Sequence, residues 1–339
     1  MQVIRDRNVN GVLPTALMHF RYGVVREVTS RGMSTIEVIG PVATVYERPR
    51  ERVLFDPLRH ANPFFHFFEA LWILAGRNDV AFLSEFNKRM RQYSDDGRTF
   101  HAPYGARLRR AYAFDQIETA INQLRKTPDT RQAVLTIWVP TRDMDAASKD
   151  IPCNDMVFLK VRDGRLDMTV CCRSNDAIWG AYGANVVQFS MLQEYLAARI
   201  LGSGEHVGTY TQVSDSLHIY TDNLFWLAYC EQDAGRRHTF DQYSDDYLPV
   251  VPYLLFDEPA FEDDLRVFFS QYDMGLLVTA KYSTMAFNSV VLPMWNAHAL
   301  YREGEFSAAL AVMGECAASD WKYACIGWLS RQQLKREAL

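Results

Sequence analysis

Short stretches in which apolar and polar residues alternate, the pattern of half-buried β-strands, occur at several places along the chain. One of them, STIEVIGPVATVYE, lies within residues 21–55, and residues 209–220 predict another strand that leads into a helix. The apolar, β-branched run over residues 133–139, AVLTIWV, indicates a buried strand. Further on, MVFLKVR and RLDMTVC are joined by Asp163-Gly164 and predict a β-hairpin.

Two apolar stretches predict long helices with recognisable ends. In NPFFHFFEALWILAG, Asn62 is a good N-cap, Pro63 a good first residue and Gly76 a good stop. Because this helix is apolar almost all round, we expect it to be buried. In the second stretch, VVQFSMLQEYLAARI, we expect Asn185 to be the N-cap, and Gly202 follows the end of the helix.

Composition indicates an ordinary globular protein. The 339 residues are 48% hydrophobic and 23% charged, with a net charge of −5, which suits one large domain or two small ones and weakly excludes broad nucleic-acid binding. The six cysteines form no CxxC pair and no Cys/His cluster with zinc spacing, so we expect reduced thiols, no metal site and a cytoplasmic protein. The chain shows no signal core and no apolar run of the ~18 residues that span a bilayer, so no membrane partner is expected.

Cys153 is the best candidate for a nucleophile. A cysteine is more often a small core residue, but Cys153 follows Pro152 and a charged loop rather than lying inside an apolar run. Several arginines along the chain are available to favour its thiolate form. The next residue is Asn154, and no histidine lies beside the cysteine in the sequence, so a Cys–His pair cannot be derived.

A second candidate is Glu69, in the middle of the first predicted helix. An ionised carboxylate in such an apolar helix is costly unless it is paired or used. The sequence leaves two interpretations, a structural ion pair or a functional acid with a raised pKa.

Isolated arginines lie at the ends of several predicted elements. Arg31, Arg131 and Arg173 could together hold a phosphate. Gly-rich loops of the GxGxxG or GxxxxGK[ST] type are missing, so we expect a monophosphate rather than a triphosphate or a dinucleotide.

Five motifs, in the order of the family, resemble the thymidylate synthases. PCN at 152–154 resembles the family's Pro-Cys-His with its last residue changed, and CRSNDAIWGAYGAN at 172–185 resembles Gln-Arg-Ser-x-Asp-x-x-x-Gly-x-x-x-Asn with one extra residue. HIY at 218–220 matches His-x-Tyr, YGARLR at 104–109 resembles Tyr-Gly-x-Gln-Trp-Arg, and FEALWILAG at 68–76 resembles the helix with the catalytic glutamate.

The resemblance implies an α/β (α+β) fold with a large twisted mixed sheet, flanked by helices, in a homodimer joined sheet to sheet. All of residues 1–339 would form one domain, with the motif-bearing core at about 30–225 and a family-specific excursion at 232–275. The substrate would be a pyrimidine nucleoside monophosphate, and the implied contacts are Arg31, Arg173 and Ser174 to the phosphate, Arg131 to the phosphate in the partner subunit, His218 and Tyr220 to the sugar, and Asn185 to the base.

The resemblance also implies the chemistry. Cys153 adds to C6 of the base, which makes C5 a nucleophile toward the one-carbon unit of 5,10-methylenetetrahydrofolate. Glu69 handles protons and lies near the folate, Asp176 contacts the pterin ring, and Tyr104 lies near Cys153. Asn154, at the family's histidine position, completes the set of catalytic candidates.

Two outcomes are possible after the one-carbon unit has reached C5: hydride from the folate gives a methyl group, whereas water gives a hydroxymethyl group. The tryptophan-rich segment that shields this carbon in the family is replaced by KRMRQYSDDG, with Met90 and Tyr93 near the tryptophan positions. The second arginine of the usual pair is Gln132. A site without its aromatic shield should admit water, so we favour a hydroxymethylase over a thymidylate synthase.

The base is predicted from Asn185, whose amide can both donate and accept and therefore suits the O4/N3–H edge of uracil. This favours dUMP as substrate. An ungapped alignment places Ala184 at the same position, and the family includes hydroxymethylases for CMP and dCMP, so cytidylate remains the alternative substrate. A different class, an inactive relative that binds nucleotide or RNA, is disfavoured because Cys153, Glu69 and Arg173 are present together. If the protein is phage-encoded, the expected compartment is the host cytoplasm.

Overall fold

The computed structural model describes residues 1–30, 32–231, 241–244, 249–276 and 281–338. The strands in these ranges are β1 Gln2–Asp6, β2 Val25–Ser30, β3 Met33–Val38, β4 Val42–Tyr46, β5 Val134–Thr136, β6 Asn154–Arg162, β7 Arg165–Cys172, β8 Asn175–Asp176, β9 Val207–Ser214 and β10 Leu217–Tyr220. The α-helices are α1 Val9–Tyr22, α2 Pro63–Leu74, α3 Val80–Phe86, α4 Tyr104–Arg110, α5 Gln116–Lys126, α6 Pro140–Asp143, α7 Asn185–Leu201, α8 Leu224–Glu231, α9 Phe261–Asp273, α10 Leu292–Glu303, α11 Phe306–Gly314 and α12 Ser319–Glu337. Among the described residues, no helix is both long and apolar enough to cross a bilayer.

The described strands form two mixed sheets. The larger has the order β1-β4-β9-β7-β6-β5, in which β1 with β4 and β7 with β9 are parallel and the other pairs antiparallel. The smaller has the order β2-β3-β10-β8, with β10 and β8 parallel. The expected mixed α/β fold is confirmed, but the sequence did not reveal that residues 209–220 divide into β9 and β10, one in each sheet.

The predicted hairpin is formed by β6 and β7, which pair antiparallel from Asn154 opposite Cys172 to Arg162 opposite Arg165. Its turn residues Asp163 and Gly164 have φ angles of 50° and 71°. Both therefore adopt the left-handed conformation that a type I′ hairpin turn requires. The hairpin carries the residues that follow Cys153 back to Arg173, which lies directly after β7.

The first predicted helix, α2, is also confirmed. The Asn62 side chain accepts a hydrogen bond from Phe65 N–H, Pro63 is the first residue, and Gly76 has a φ of 68° just past the end. All twelve residues are buried, including Glu69. The helices α7, α10 and α12 all pack against α2. Aromatic stacking continues around it, for example between Phe68 and Phe86 at 4.7 Å.

The prediction that Asn185 caps the second helix is wrong. Asn185 has helical angles (φ −64°, ψ −38°), and its N–H donates to Gly180 O, five residues earlier. The turn before α7, Ala177–Ala184, is thus π-helical and runs directly into the helix. The end of the helix is as predicted, because Gly202 has a φ of 89°.

Two further stretches differ from expectation. The apolar run 133–139 contributes only the three-residue strand β5, although Leu135 and Ile137 are buried as expected. Within 232–275 the structure describes α9 and a 3₁₀ turn at Gln242–Ser244. Residues 232–240 and 245–248 lie outside the described ranges.

Gly105 lets α4 approach the end of α2. A Cβ at this position would lie 2.0 Å from Ile73 O and 2.7 Å from Ile73 Cα. Because the obstacle is backbone, Gly105→Ala should lower the free energy of unfolding by about 1–3 kcal/mol. Urea unfolding measures this. Gly314→Ala is the matched control, since no atom lies within 4 Å of its added Cβ, and it should be neutral or raise stability by at most about 1 kcal/mol. Equal losses in both variants would contradict the packing argument.

Candidate active site

Cys153 lies between Pro152 and the first residue of β6 and is half-buried. Its thiol donates a long hydrogen bond of 3.9 Å to Ile151 O. Its own carbonyl oxygen accepts from Arg173 N–H at 3.0 Å, which joins the two ends of the hairpin. The sulfur is thus held on a short loop at the open end of β6 and β7.

Arg173 fixes that loop with its side chain. Its Nε donates to Pro152 O at 2.7 Å, and Nη2 donates to Ile151 O at 3.2 Å. The guanidinium carbon lies 5.7 Å from the centre of the Trp138 ring. A permanent positive charge therefore sits on the segment that carries the cysteine, as a reactive thiolate requires.

Tyr104, the first residue of α4, lies close enough to this thiol for the two groups to interact electrostatically. Burial raises the pKa of its hydroxyl well above the usual range, the Cys153 thiol raises it further, and the Asn154 side chain acts in the opposite direction. Asn154 is fully buried, and its Oδ1 accepts from the Cys172 thiol at 2.7 Å. The Asn154 side chain also interacts with the Tyr104 hydroxyl, so these two polar groups lie together near the Cys153 thiol.

Glu69 has a buried partner on the facing helix α7. Gln188 Nε2 donates to Glu69 Oε2 at 2.7 Å. Burial raises the pKa of Glu69 to about 7, and the bond from Gln188 offsets part of that rise. No ion pair of Glu69 is found among the described residues, so the structure does not support the interpretation as a structural ion pair.

The smaller sheet brings Asp176 and the His-x-Tyr motif together. In the parallel pairing of β8 with β10, His218 lies opposite Asp176. Asp176 Oδ1 accepts from the N–H groups of Ile178 and Trp179, and burial raises the pKa of the carboxyl. The rings of His218 and Tyr220 are 5.5 Å apart and perpendicular, so both side chains face one side of β10, as their spacing predicted.

A chain of side chains orients Asn185. Its Nδ2 donates to Asn175 Oδ1 at 3.1 Å, and Asn175 Nδ2 donates to Ser214 Oγ at 3.1 Å. A Cβ at Gly180 would lie 2.8 Å from Asn175 Oδ1, so the π-helical turn must carry glycine where it passes this pair. The amide of Asn185 is therefore held in one orientation.

For the remaining predicted site residues, the structure gives the burial and the position in the chain. Ser174 is half-buried between Arg173 and Asn175, Ala184 is buried, and Arg131 is exposed in the loop before β5. Arg31 lies outside the described residues.

Sequence reasoning missed Gln188, Asn175 and Cys172. Gln188 could have been found, because it is a polar residue one turn after Asn185 in an apolar helix. Asn175 and Cys172 gave no such signal, because their partners are distant in the sequence.

A half-buried cysteine on a loop that an arginine fixes is an arrangement also found in enzymes that use a thiol as a nucleophile. Residues 31–232 match the thymidylate synthase family. The chain belongs to this family.

Over 347 aligned residues, covering 100% of this chain and 96% of the relative, the chain is 42% identical to the deoxyuridylate hydroxymethyltransferase of Pseudomonas phage M6. It is 43% identical to the deoxyuridylate hydroxymethyltransferase of Bacillus phage SP01, over 63% of this chain and 59% of the relative. Thermostable thymidylate synthase A from Bacillus subtilis shares the fold, with a TM-score of 0.51 and 23% identity over 64% of this chain and 82% of that chain.

These findings confirm the predicted family, the fold class and an enzyme that transfers a folate-borne one-carbon unit. Enzymes of this family use methylenetetrahydrofolate, so a nucleotide substrate and a folate co-substrate follow from membership. The names of the relatives agree with the predicted hydroxymethylase.

Proposed function

We propose that this protein transfers the one-carbon unit of 5,10-methylenetetrahydrofolate to C5 of dUMP and releases 5-hydroxymethyl-dUMP. The observation that carries this proposal is the 42% identity, over the whole chain, with a phage deoxyuridylate hydroxymethyltransferase. The loop that replaces the family's aromatic shield supports it, because Lys88–Tyr93 buries no residue and Tyr93 is 42% exposed.

Cys153 is the proposed nucleophile that adds to C6. Arg173 is proposed to help Cys153 in two ways. Its positive charge favours the thiolate, and its hydrogen bonds to the Pro152 and Ile151 carbonyls hold the loop in place. Glu69 is the proposed acid–base group, because a carboxyl with a pKa of about 7 can both give and take a proton near neutral pH. Tyr104 and Asn154 are proposed to bind water or the substrate beside the sulfur.

The nucleotide is proposed to lie between the hairpin end and the smaller sheet. Arg173 and Ser174 would bind its phosphate together with Arg31, and His218 and Tyr220 would bind its sugar. Asp176, opposite His218, is proposed to bind the folate pterin. Arginine guanidinium groups suit a phosphate because each offers paired N–H donors.

Asn185 rather than Ala184 is the proposed reader of the base. The π-helical turn absorbs the one residue by which this motif exceeds the family's pattern, and the Asn175 bond points the Asn185 amide in a fixed direction. Ala184 offers no polar side-chain atom. With one hydrogen of Nδ2 given to Asn175, the other hydrogen and Oδ1 remain for the O4 and N3–H of uracil.

Asn185→Asp should therefore shift the preference from uracil toward cytosine. A carboxylate accepts from the N4 amino group of cytosine, whereas uracil would face it with O4. We expect the kcat/KM ratio of dUMP to dCMP to fall by about 10-fold or more. Ala184→Ser tests the other alignment: a change of preference there, with none at Asn185, would mean that Ala184 occupies the reading position.

The proposed function is tested by mass spectrometry of the products from dUMP, dCMP and CMP, each with methylenetetrahydrofolate, while dihydrofolate absorbance is followed. We expect a hydroxymethyl product from dUMP and no dihydrofolate. A methyl product with stoichiometric dihydrofolate would identify a thymidylate synthase instead. Turnover of dCMP or CMP alone would overturn the choice of base.

The single domain of residues 1–339 is proposed to form a homodimer through the larger sheet. α5 and α7 pack against strands of that sheet. On β6, Met156 and Phe158 alternate with the buried Val157 and Leu159, so they lie on the other face, and Met156 is 38% exposed. An exposed apolar sheet face of this kind suits a second copy of the chain.

Arg131 is proposed to reach the phosphate in the partner's site. Arg131→Ala and Cys153→Ser should each be nearly inactive alone, but refolded together in equal amounts they should regain about one quarter of wild-type activity. Half of the dimers are then mixed, and each of these has one intact site. A mixture that stays inactive while sedimentation shows mixed dimers would contradict the donation of Arg131 across the interface.

A further inference from the structure

Gln188 is a buried side chain of α7 whose two polar atoms differ in their hydrogen bonding. The side chain is only 6% exposed. Its Nε2 donates to Glu69 Oε2 at 2.7 Å, but its Oε1 is buried and has no hydrogen-bond partner among the described residues. A buried acceptor without a partner costs about 1–3 kcal/mol, so a site of this kind is retained for a ligand or a water molecule.

We propose that Gln188 Oε1 and the Glu69 carboxylate together bind the water molecule whose oxygen becomes the hydroxyl group of the product. This inference rests on the proposed hydroxymethylation. Both groups are acceptors, so they take the two hydrogens of one water and leave its lone pairs directed away from them. Water held in this way is oriented as a nucleophile, and the carboxylate is in place to take its proton.

The same helix shows why Gln188, and not any buried glutamine, fits this role. Gln193 Oε1 also has no partner among the described residues. However, Gln193 Nε2 donates to the backbone carbonyls of Leu166 and Thr209, so that side chain faces the ends of two strands. Of these two glutamines, only Gln188 is bonded to a carboxylate.

The step balances without an oxidant or a reductant. After the folate has left as tetrahydrofolate, the substrate carries a CH2=C5 group conjugated with C4=O4, and C6 is bonded to Cys153 sulfur. The water oxygen forms a bond to the CH2 carbon, its proton passes to Glu69, and the electron pair of CH2=C5 moves to O4 as an enolate. The enolate then forms C5=C6, and the C6–S bond breaks to return the Cys153 thiolate.

The test uses Gln188→Met in the full-length protein, which keeps the length of the side chain and removes both polar atoms. Tritium release from [5-³H]dUMP reports loss of the C5 proton, a step before water addition, and the hydroxymethyl product reports the addition itself. We expect tritium release to stay within about 5-fold of wild type, whereas hydroxymethyl product per tritium released falls at least about 10-fold. With 2-mercaptoethanol present, a thioether of the exocyclic carbon should replace the missing product.

Gln193→Met is the matched control, because it removes a buried glutamine from the same helix. It should lower stability and leave the ratio of product to tritium unchanged. If Gln188→Met does not fold, Gln188→Asn carries the same expectation, since it withdraws Oε1 by one methylene.

An unchanged ratio in a folded Gln188→Met or Gln188→Asn variant would overturn the proposal. Failure of the proposed function is seen separately and earlier. It would appear in the wild-type protein, as a methyl product with dihydrofolate, and the water site would then have no role.

Discussion

Replacement of Cys153 by serine is expected to lower turnover of dUMP by about 10⁴–10⁶-fold while nucleotide binding stays within a few-fold of wild type. The hydroxyl of serine has nearly the size of the thiol but is not ionised near neutral pH, so it cannot add to C6. The phosphate and sugar contacts proposed for Arg173, Ser174, His218 and Tyr220 are untouched. Product formation and calorimetric titration with dUMP measure the two effects.

Cys230→Ser provides the control. Cys230 is also half-buried, but it lies in α8 and takes no part in the proposed mechanism. This variant should keep activity within a few-fold. Substantial turnover by Cys153→Ser would contradict the covalent mechanism. A joint loss of binding and folding in that variant would show that the thiol is needed for the structure of the loop rather than for chemistry.

Glu69→Gln is expected to raise stability at alkaline pH and to lower activity. Burial raises the pKa of Glu69 from 4.5 to about 7, so the folded protein binds a proton more tightly than the unfolded chain does. Stability therefore falls as the pH rises from about 4.5 to 7, where the folded protein must give up that proton. Removing the ionisable group should raise the free energy of unfolding by about 3 kcal/mol at pH 8 and by less than about 1 kcal/mol at pH 5.

The same substitution at a second buried glutamate, Glu194, should lower the free energy of unfolding instead of raising it. Glu194 forms an ion pair with the buried Arg52 and accepts from Leu255 N–H at 2.9 Å. Glu194→Gln removes the carboxylate that pairs with the buried Arg52, so it should lower stability by about 3–5 kcal/mol. Denaturant unfolding of both variants at pH 5 and pH 8 distinguishes them. A Glu69→Gln variant that is less stable than wild type at pH 8 would contradict the conclusion that burial destabilises the ionised Glu69 carboxylate.

The activity of Glu69→Gln should fall although its stability at alkaline pH rises. Loss of a general acid–base group costs about 10²–10⁴-fold in rate. A protein that becomes more stable and less active by one substitution keeps an unfavourable buried group for function. Activity close to wild type would assign Glu69 a role other than proton transfer.

The sequence alone determined the elements whose signals are local. The N-cap, first proline and terminal glycine of α2 fixed its ends, and Asp163-Gly164 fixed the hairpin, because capping and turn conformation depend on a few neighbouring residues. Motif order likewise indicated the family, the fold class and the identity of the candidate nucleophile.

Only the tertiary structure decided how those residues meet. The sequence predicted Asn185 as a helix cap, but the π-helical turn places it inside the helix, and its side chain donates to Asn175 instead. Glu69 could have been an ion pair or a functional acid, and only the structure shows that its buried hydrogen-bond partner is a glutamine 119 positions away. Residues 209–220 form two strands because the second, β10, pairs with β3 and β8 of the smaller sheet. Such pairings depend on partners distant in the sequence, and no local pattern of polarity encodes them.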